Sequence, residues 1–322
     1  YDEEYLRKLF EADQGKHQLT FVCGRLTPAT ALVAADHQVV CTFVNDDVSA
    51  ETIAQLPESV KLICNRCAGF NNIDVKAANE RGITVARVPA YSPYATAEYT
   101  VSLLMTLNRK IHKAYHRVRE GNFEITGLLG FDLHGKTVGV IGTGQIGAIV
   151  VRILSQGFGC NVLCYDVYKN KEVQAMPNVT YVETYEELYS KSNIISLHCP
   201  LMKETHHLIN EESIQKMRDG VIILNCSRGA VIDTKDVIRG LKSGKIGGLA
   251  LDVYENEGAY FYSNYSERVI DDDLLSRLTT FPNVIVSSHQ AFFTQEAMTN
   301  ISQSVLDSVT QYEKDGTVPA SN

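Results

Sequence analysis

From Lys136 onward the chain is punctuated by short, nearly continuous apolar runs: TVGVIG, NVLCYD, NIISLHC, VIILNC, GLALDVY and NVIVSSH. Runs of this kind, rich in β-branched residues and lacking polar alternation, predict strands buried on both faces. Helical signals fall between them, including Thr184 with Glu187 three positions on as a capping box, and Gly240 and Gly244 as helix stops. Strand and helix in alternation predict a doubly wound, parallel α/β sheet.

The same alternation recurs on a smaller scale before Lys136. QLTFVC, QVVCTFV, VKLICN and TVARVP are the expected strands, and YDEEYLRKLF, with Asp2 as its cap, and IDVKAANERG the expected helices. This is a second α/β unit. Its first element is a helix where open sheets of this kind normally begin with a strand, so residues upstream of Tyr1 are expected in the natural chain. Leu104, Leu107, Ile111, Tyr115 and Val118 follow a three-four spacing that makes one apolar stripe on a long helix. Such a helix either links the domains and packs in a cleft or on another subunit, or only covers the local core. The least regular segment, Glu255 to Pro282, carries Tyr260, Phe261 and Tyr262 and then Asp271 to Asp273. It reads as a surface loop ending in a capped helix.

At 322 residues the chain exceeds what one core usually supports, which agrees with two domains. The formal net charge of −8 opposes binding to nucleic acid or an anionic membrane, and the basic residues of Arg109–Arg119 are spread along one predicted helix. No apolar run reaches the ~20 residues of a membrane span and no export signal is visible, so a cytoplasmic location is expected. The eight cysteines sit mostly in apolar runs and read as reduced core residues. Cys64 with Cys67, and Cys160 with Cys164, have zinc-like spacing, but they lie in or beside predicted strands, so packing is the better reading and no metal is expected.

VGVIGTGQIG places Gly142, Gly144 and Gly147 in a GxGxxG pattern between a strand and a helix. Gly142 permits the tight turn, Gly144 lets backbone amides approach a pyrophosphate, and Gly147 allows close helix packing, with the helix N-terminus favouring the phosphate charge. Asp166 ends the next strand at the distance expected of the acid that binds the ribose hydroxyls. Only Val167, Tyr168 and Lys169 follow it, without arginine, so NAD is preferred over NADP.

Three further motifs sit at or just beyond predicted strand ends: NCSRGAVID with Arg228, LALDVYENE with Asp252 and Glu257, and VSSHQAFF with His289. Hydride transfer to a ketone needs a cation for the substrate carboxylate and carbonyl, and an acid for the oxygen. Arg228 offers a planar fork of donors for the first task. His289 suits the second, and Glu257 could orient it and favour its charged form. Each residue alone has a structural explanation; together, downstream of a dinucleotide fingerprint, they point to an oxidoreductase.

On these residues the chain resembles the D-2-hydroxyacid dehydrogenase family, and within it the D-lactate branch. NRCAGFNNID, RVPAYSPYATAE, VIGTGQIG, SLHCPL, NCSRGAVID, LDVYENE and SHQAFFT match the family pattern in order along essentially the whole chain. The resemblance implies a Rossmann NAD-binding domain, 99–291, inserted in a flavodoxin-like substrate domain, 1–98 and 292–322, with catalysis in the cleft. It implies Arg228, Glu257 and His289 as the catalytic trio. Substrate contacts fall to Arg66 and the backbone of Ala68 and Gly69, with Tyr91 closing the pocket and Phe292 limiting side-chain size. Gln145 and Ile146 meet the pyrophosphate, Thr96 and Asp252 the nicotinamide side, and His198, Cys199 and Pro200 the adenosine side, with Cys226 a further cofactor contact. Two aromatic rings near the reacting carbon favour the methyl group of pyruvate, and hence D-lactate. A homodimer or higher homo-oligomer is expected. The alternatives are a dehydrogenase of another D-2-hydroxy acid, or a non-catalytic dinucleotide sensor like the corepressors that share this fold.

Overall fold

The computed structural model describes residues 2–13 and 16–319, and the chain divides into two compact units, 1–92 with 293–322, and 93–292. In the first unit three strands pair in parallel in the order β1 (Val39–Thr42), β2 (Leu62–Asn65), β3 (Thr84–Arg87). Successive side chains of a strand serve opposite faces. Accordingly Ile63 packs with Ile53, Ala78 and Ile83, whereas Leu62 and Cys64 pack with Leu6, Phe10, Val305 and Val309. The second cluster draws on the helices Glu3–Ala12 and Gln295–Asp315, so distant parts of the sequence close this unit.

Two expectations fail here. Residues 18–23 form no strand: Leu19 and Phe21 turn inward onto the helical layer, but the segment pairs with none of the three strands. Alternation records which face is buried and does not by itself supply an edge to pair with. Asp2 caps nothing with its side chain; its carboxylate pairs instead with the Arg66 guanidinium.

The second unit holds seven parallel strands: β4 (Thr137–Ile141), β5 (Asn161–Tyr165), β6 (Val179–Tyr181), β7 (Ile194–Leu197), β8 (Val221–Asn225), β9 (Ile246–Leu251) and β10 (Val284–Val286). Their order is β10-β9-β8-β7-β4-β5-β6, a doubly wound Rossmann sheet whose direction of winding reverses between β4 and β7. Val138, Val140, Ile194, Ile222 and Leu224 pack in one layer and Ile141, Ile195, Leu197 and Ile223 in the other, so both faces are covered. Of the seven, β6 escaped the reading of apolar runs because it is a three-residue edge strand with no fully buried side chain.

The long stripe is two helices, Pro93–Arg109 and Ile111–Arg119, broken at Lys110, which adopts φ 50°. Leu104 and Leu107 are core, but Ile111, Tyr115 and Val118 are 54%, 59% and 51% exposed. Polar bonds fold the following segment back: Asn108 bonds both the N–H and the carbonyl of Phe131, Lys110 Nζ donates to Gly127, and Arg117 donates to Thr126. The whole of Pro93–Arg109 belongs to the second unit, since Ala97, Leu103, Leu104 and Leu107 pack in its core. The compact units divide after residue 92 and after residue 292; residues 1, 14–15 and 320–322 of the expected substrate domain lie outside the described residues. Thr184 accepts from Glu187 N, one half of the expected capping box, and Gly244 ends its helix at φ 79°. Gly240 does not stop that helix but lies inside it, where a Cβ would meet the Ile246 side chain at 2.8 Å.

A left-handed non-glycine residue costs about 1–2 kcal/mol, and glycine relieves it. Lys110→Gly should therefore be neutral or stabilising in urea unfolding, whereas an uninterrupted helix would lose about 1 kcal/mol.

Candidate active site

The turn after β4 is shaped by close backbone approaches. Gly142 sits at φ 92°, and a Cβ there would lie 2.6 Å from His198 C and 2.7 Å from Cys199 N. At Gly147 a Cβ would meet Gly142 O at 2.0 Å. These two glycines are required by the fold itself. Gly144 is different: it precedes the helix Gln145–Arg152 and a Cβ there would meet nothing within 4 Å. No side chain caps this helix and its first turn carries no acid, so the amides around Gly144, Gln145 and Ile146 face open space suited to an anionic group.

Asp166 follows β5 and is already engaged. Its carboxylate accepts from Thr143 N at 2.5 Å, Thr143 Oγ1 at 3.0 Å and Tyr168 N at 3.0 Å. Tyr181 donates to Thr143 Oγ1 at 2.8 Å, so the acid is bound rigidly to the glycine turn. His198 and Cys199 follow β7, across the reversal of strand order, and Pro200 is exposed beside them. Burial pushes the His198 ring down to about 4, and Ser196 Oγ lies 2.7 Å from its Nε2, so this imidazole is neutral at ordinary pH. Burial likewise pushes the Cys199 thiol up to about 11 and Cys226 up to about 12. These groups remain thiols.

Arg228 lies in the turn after β8, half-buried, and its guanidinium makes one hydrogen bond among the described residues, Nη1 to Ser227 O at 2.7 Å. The turn is tied by Asn225, which donates to Arg228 O and accepts from Ser227 N and Oγ. His289 follows β10 at φ 53°, a conformation disfavoured for a side chain of this size. Its Nδ1 lies 2.7 Å from Glu257 Oε1, and Glu257 Oε2 accepts from Tyr254 N at 2.9 Å. The Nε2 nitrogen has no protein partner among the described residues, so the ring presents one nitrogen outward while a carboxylate fixes the other.

Asp252 does more, and other, work than the sequence suggests. It is 1% exposed, and its carboxylate accepts from Ser287 Oγ, Gln290 N and Ala291 N at 2.8, 2.9 and 2.9 Å, while its carbonyl accepts from His289 N at 2.7 Å. Burial pushes this carboxyl above its ordinary range and the two backbone amides pull it back. Sequence reasoning missed Tyr262, whose hydroxyl donates to His289 O at 2.8 Å; its only visible signal was the aromatic run 260–262. That run is no mere surface loop, since Phe261 is buried, although Asp272 does cap the helix Asp273–Thr280 as expected.

Thr96, Cys226, Asp252 and Phe292 are all buried in the second unit, which also carries the glycine turn and the Arg228, Glu257 and His289 side chains. Arg66, Ala68, Gly69 and Tyr91 lie in the first unit. There Arg66 also stands over the Phe43 ring, the Ala68 carbonyl accepts from Arg87, the Gly69 carbonyl from Asn65 and the Tyr91 carbonyl from Asn300. Cys64, Cys160 and Cys164 are buried and Cys67 half-buried, all as free thiols, and no cluster of potential metal ligands occurs among the described residues.

Residues 101–291 match the family described as D-isomer specific 2-hydroxyacid dehydrogenase, NAD binding domain. The chain is 48% identical over 99% of its length to the 2-hydroxyacid dehydrogenase homolog 1 of Schizosaccharomyces pombe, covering 96% of that protein. The chain belongs to the D-isomer specific 2-hydroxyacid dehydrogenase family. Another member, the D-lactate dehydrogenase of Escherichia coli, is 47% identical over 99% of this chain and 96% of its own. Among solved structures, the pyruvate reductase of Chlamydomonas reinhardtii superposes with a TM-score of 0.93 at 41% identity, covering all of this chain and 95% of that one.

NAD is the cofactor of this dehydrogenase. The open cradle at Gly144, the uncapped helix behind it and the adjacent Asp166 fit a dinucleotide. The two kinds of glycine separate binding from folding. Gly144→Ala should leave the thermal unfolding midpoint nearly unchanged and weaken NADH binding at least several-fold by fluorescence titration. Gly147→Ala should destabilise the protein outright, because the methyl group meets a carbonyl oxygen that cannot withdraw. Equal loss of stability in both variants would place the cradle elsewhere.

Proposed function

We propose that this dehydrogenase reduces pyruvate to D-lactate with NADH and catalyses the reverse oxidation. The observation that carries the reading is the Glu257–His289 pair at 2.7 Å, with the second imidazole nitrogen left outward. Arg228, with a single internal bond, has donors to spare for the substrate carboxylate and carbonyl. Held at the amides of Gln145 and Ile146 and beside Asp166, NADH would supply the hydride, with its electron pair, to the carbonyl carbon. As the carbonyl oxygen becomes an alkoxide, His289 Nε2 gives it a proton, while Glu257 holds the ring in place and stabilises the imidazolium before transfer. In oxidation His289 takes the hydroxyl proton back.

Arg66 and the backbone of Ala68 and Gly69 are assigned to the substrate, with Tyr91 and Phe292 restricting its side chain. Asp166 is assigned to the adenine ribose, Gln145 and Ile146 to the pyrophosphate, and His198, Cys199 and Pro200 to the adenosine side. Thr96, Cys226 and Asp252 go to the nicotinamide side. A preference for another D-2-hydroxy acid is the second reading, favoured by relatives known only as 2-hydroxyacid dehydrogenases. Initial rates with NADH should rank pyruvate above 2-oxobutyrate and phenylpyruvate and yield D-lactate; a preference for the bulkier acids would select the second reading. Because reduction consumes a proton, its kcat/KM should fall as pH rises, and that of oxidation should rise. Parallel profiles would remove His289 as the acid.

We further infer a cytoplasmic homodimer. The eight cysteines are all free, which suits a reducing compartment. Phe123, Ile125 and Leu129 are 76%, 82% and 87% exposed on a segment held in place by its own hydrogen bonds, next to the exposed side of Ile111–Arg119. Ordered apolar surface of this kind marks an interface. Arg109, Lys110, Lys113, Arg117 and Arg119 beside it complement a second copy of a chain whose net charge is −8. Light scattering should give a dimer mass that Ile125→Asp with Leu129→Asp halves; a wild-type monomer mass would refute the dimer.

A further inference from the structure

The peptide joining Tyr254 to Glu255 is a junction between the two halves of the catalytic apparatus. On one side it receives Gly229, the residue after Arg228: a Cβ there would stand 2.1 Å from Tyr254 C and 2.5 Å from Glu255 N. On the other, Tyr254 N donates to Glu257 Oε2 and Glu257 N donates to Tyr254 O, so the turn holds the carboxylate that meets His289. Any rotation of this peptide moves the Arg228 turn and the Glu257 carboxylate together.

What holds the peptide is the Glu255 side chain, which the catalytic reading leaves without a task. Its Oε1 lies 2.6 Å from His207 Nε2, and its Oε2 accepts from Thr234 Oγ1 at 2.8 Å and Thr234 N at 3.3 Å. His207 is itself fixed from several directions. Its backbone N–H donates to Ala230 O at 2.8 Å, its Nδ1 is 3.4 Å from Asp233 Oδ2, and its ring stacks on His206 with centroids 3.9 Å apart. It also carries φ 50°. A side chain in that region is strained and persists where the surroundings over-determine it. Among the described residues six non-glycine positions have positive φ, and three of them, His207, Tyr262 and His289, belong to this one connected set of contacts.

We propose that Glu255, clamped by His207, is a positioning residue for the reaction: it locks the 254–257 turn and thereby sets both the Glu257–His289 contact and the Arg228 turn. The inference rests on the catalytic reading of Arg228, Glu257 and His289. Neither Glu255 nor His207 needs to touch the substrate. Loosening the clamp lets Glu257 retreat from the ring, which weakens its preference for the protonated imidazole.

The test uses the whole chain and two variants, Glu255→Ala and His207→Asn, the latter chosen because asparagine tolerates the left-handed conformation. The primary readout is the titration of His289 followed by NMR of its ring nitrogens, assigned with His289→Gln, and it requires no turnover. Both variants should titrate lower than wild type, because the carboxylate that favours the charged ring has drawn away from it. In the pyruvate assay kcat should fall about 10- to 100-fold, as expected of sub-ångström misplacement, with the KM for NADH little changed. Glu255→Gln, which can still accept from His207, should restore most of both. An unchanged His289 titration in either folded variant, or a loss explained by the folded fraction alone, would overturn the proposal. Failure of the underlying reading looks different: wild type would turn over no 2-oxo acid, or its rate would not follow the His289 titration.

Discussion

A buried carboxylate at the end of β9 is the contact on which the site depends. Asp252 is surrounded by protein, and its ionised form is tolerated because a hydroxyl and two backbone amides, all from residues 287–291, donate to it. The loop after β10 is thereby pinned to the neighbouring strand. His289, inside that loop, is forced into a left-handed conformation that it would not adopt alone, with its backbone N–H drawn to the Asp252 carbonyl. The orientation of the imidazole is thus a product of main-chain geometry first and of Glu257 second. Removing the Asp252 carboxylate would leave three groups to rearrange, not one contact to weaken.

The parallel sheet supplies the frame for this. With every strand running the same way, the turns after β4, β5, β7, β8, β9 and β10 all emerge at one edge, carrying Gly142, Asp166, His198, Arg228, Asp252 and His289 respectively. The two structural glycines at the reversal of strand order bring the β4 and β7 turns into backbone contact, which leaves the cradle at Gly144 beside them. Chemistry and cofactor binding then follow from which residues terminate which strands.

Much of this was legible because burial on both faces leaves a plain mark: continuous apolar runs located six of the seven strands of the larger sheet, and glycine spacing located the turn. The features that stayed hidden are those fixed by long-range packing. Nothing near Lys110 in sequence announces a break that depends on Asn108 reaching Phe131. The segment 18–23 carries strand-like alternation, yet Leu19 and Phe21 face a helical layer with no ladder beside them. The LALDVYENE motif drew attention to Asp252 but not to its part as the anchor of the His289 loop, because its partners lie some 35 to 39 positions away. Tyr262 sits in an irregular stretch where no periodicity exists to read, and its value lies in one hydrogen bond to a carbonyl.

The same parallel arrangement has a corollary at the opposite edge of the larger sheet. There the chain enters β4, β5, β8 and β9 just after Gly135, Gly159, Gly220 and Gly244, all with φ between 67° and 79°. At Gly135, Gly220 and Gly244 the demand is conformational alone, since a Cβ would meet nothing within 4 Å, whereas at Gly159 it would also meet the His134 ring. Specificity can be retuned from one rim while thermostability is engineered from the other, with little interference between the two.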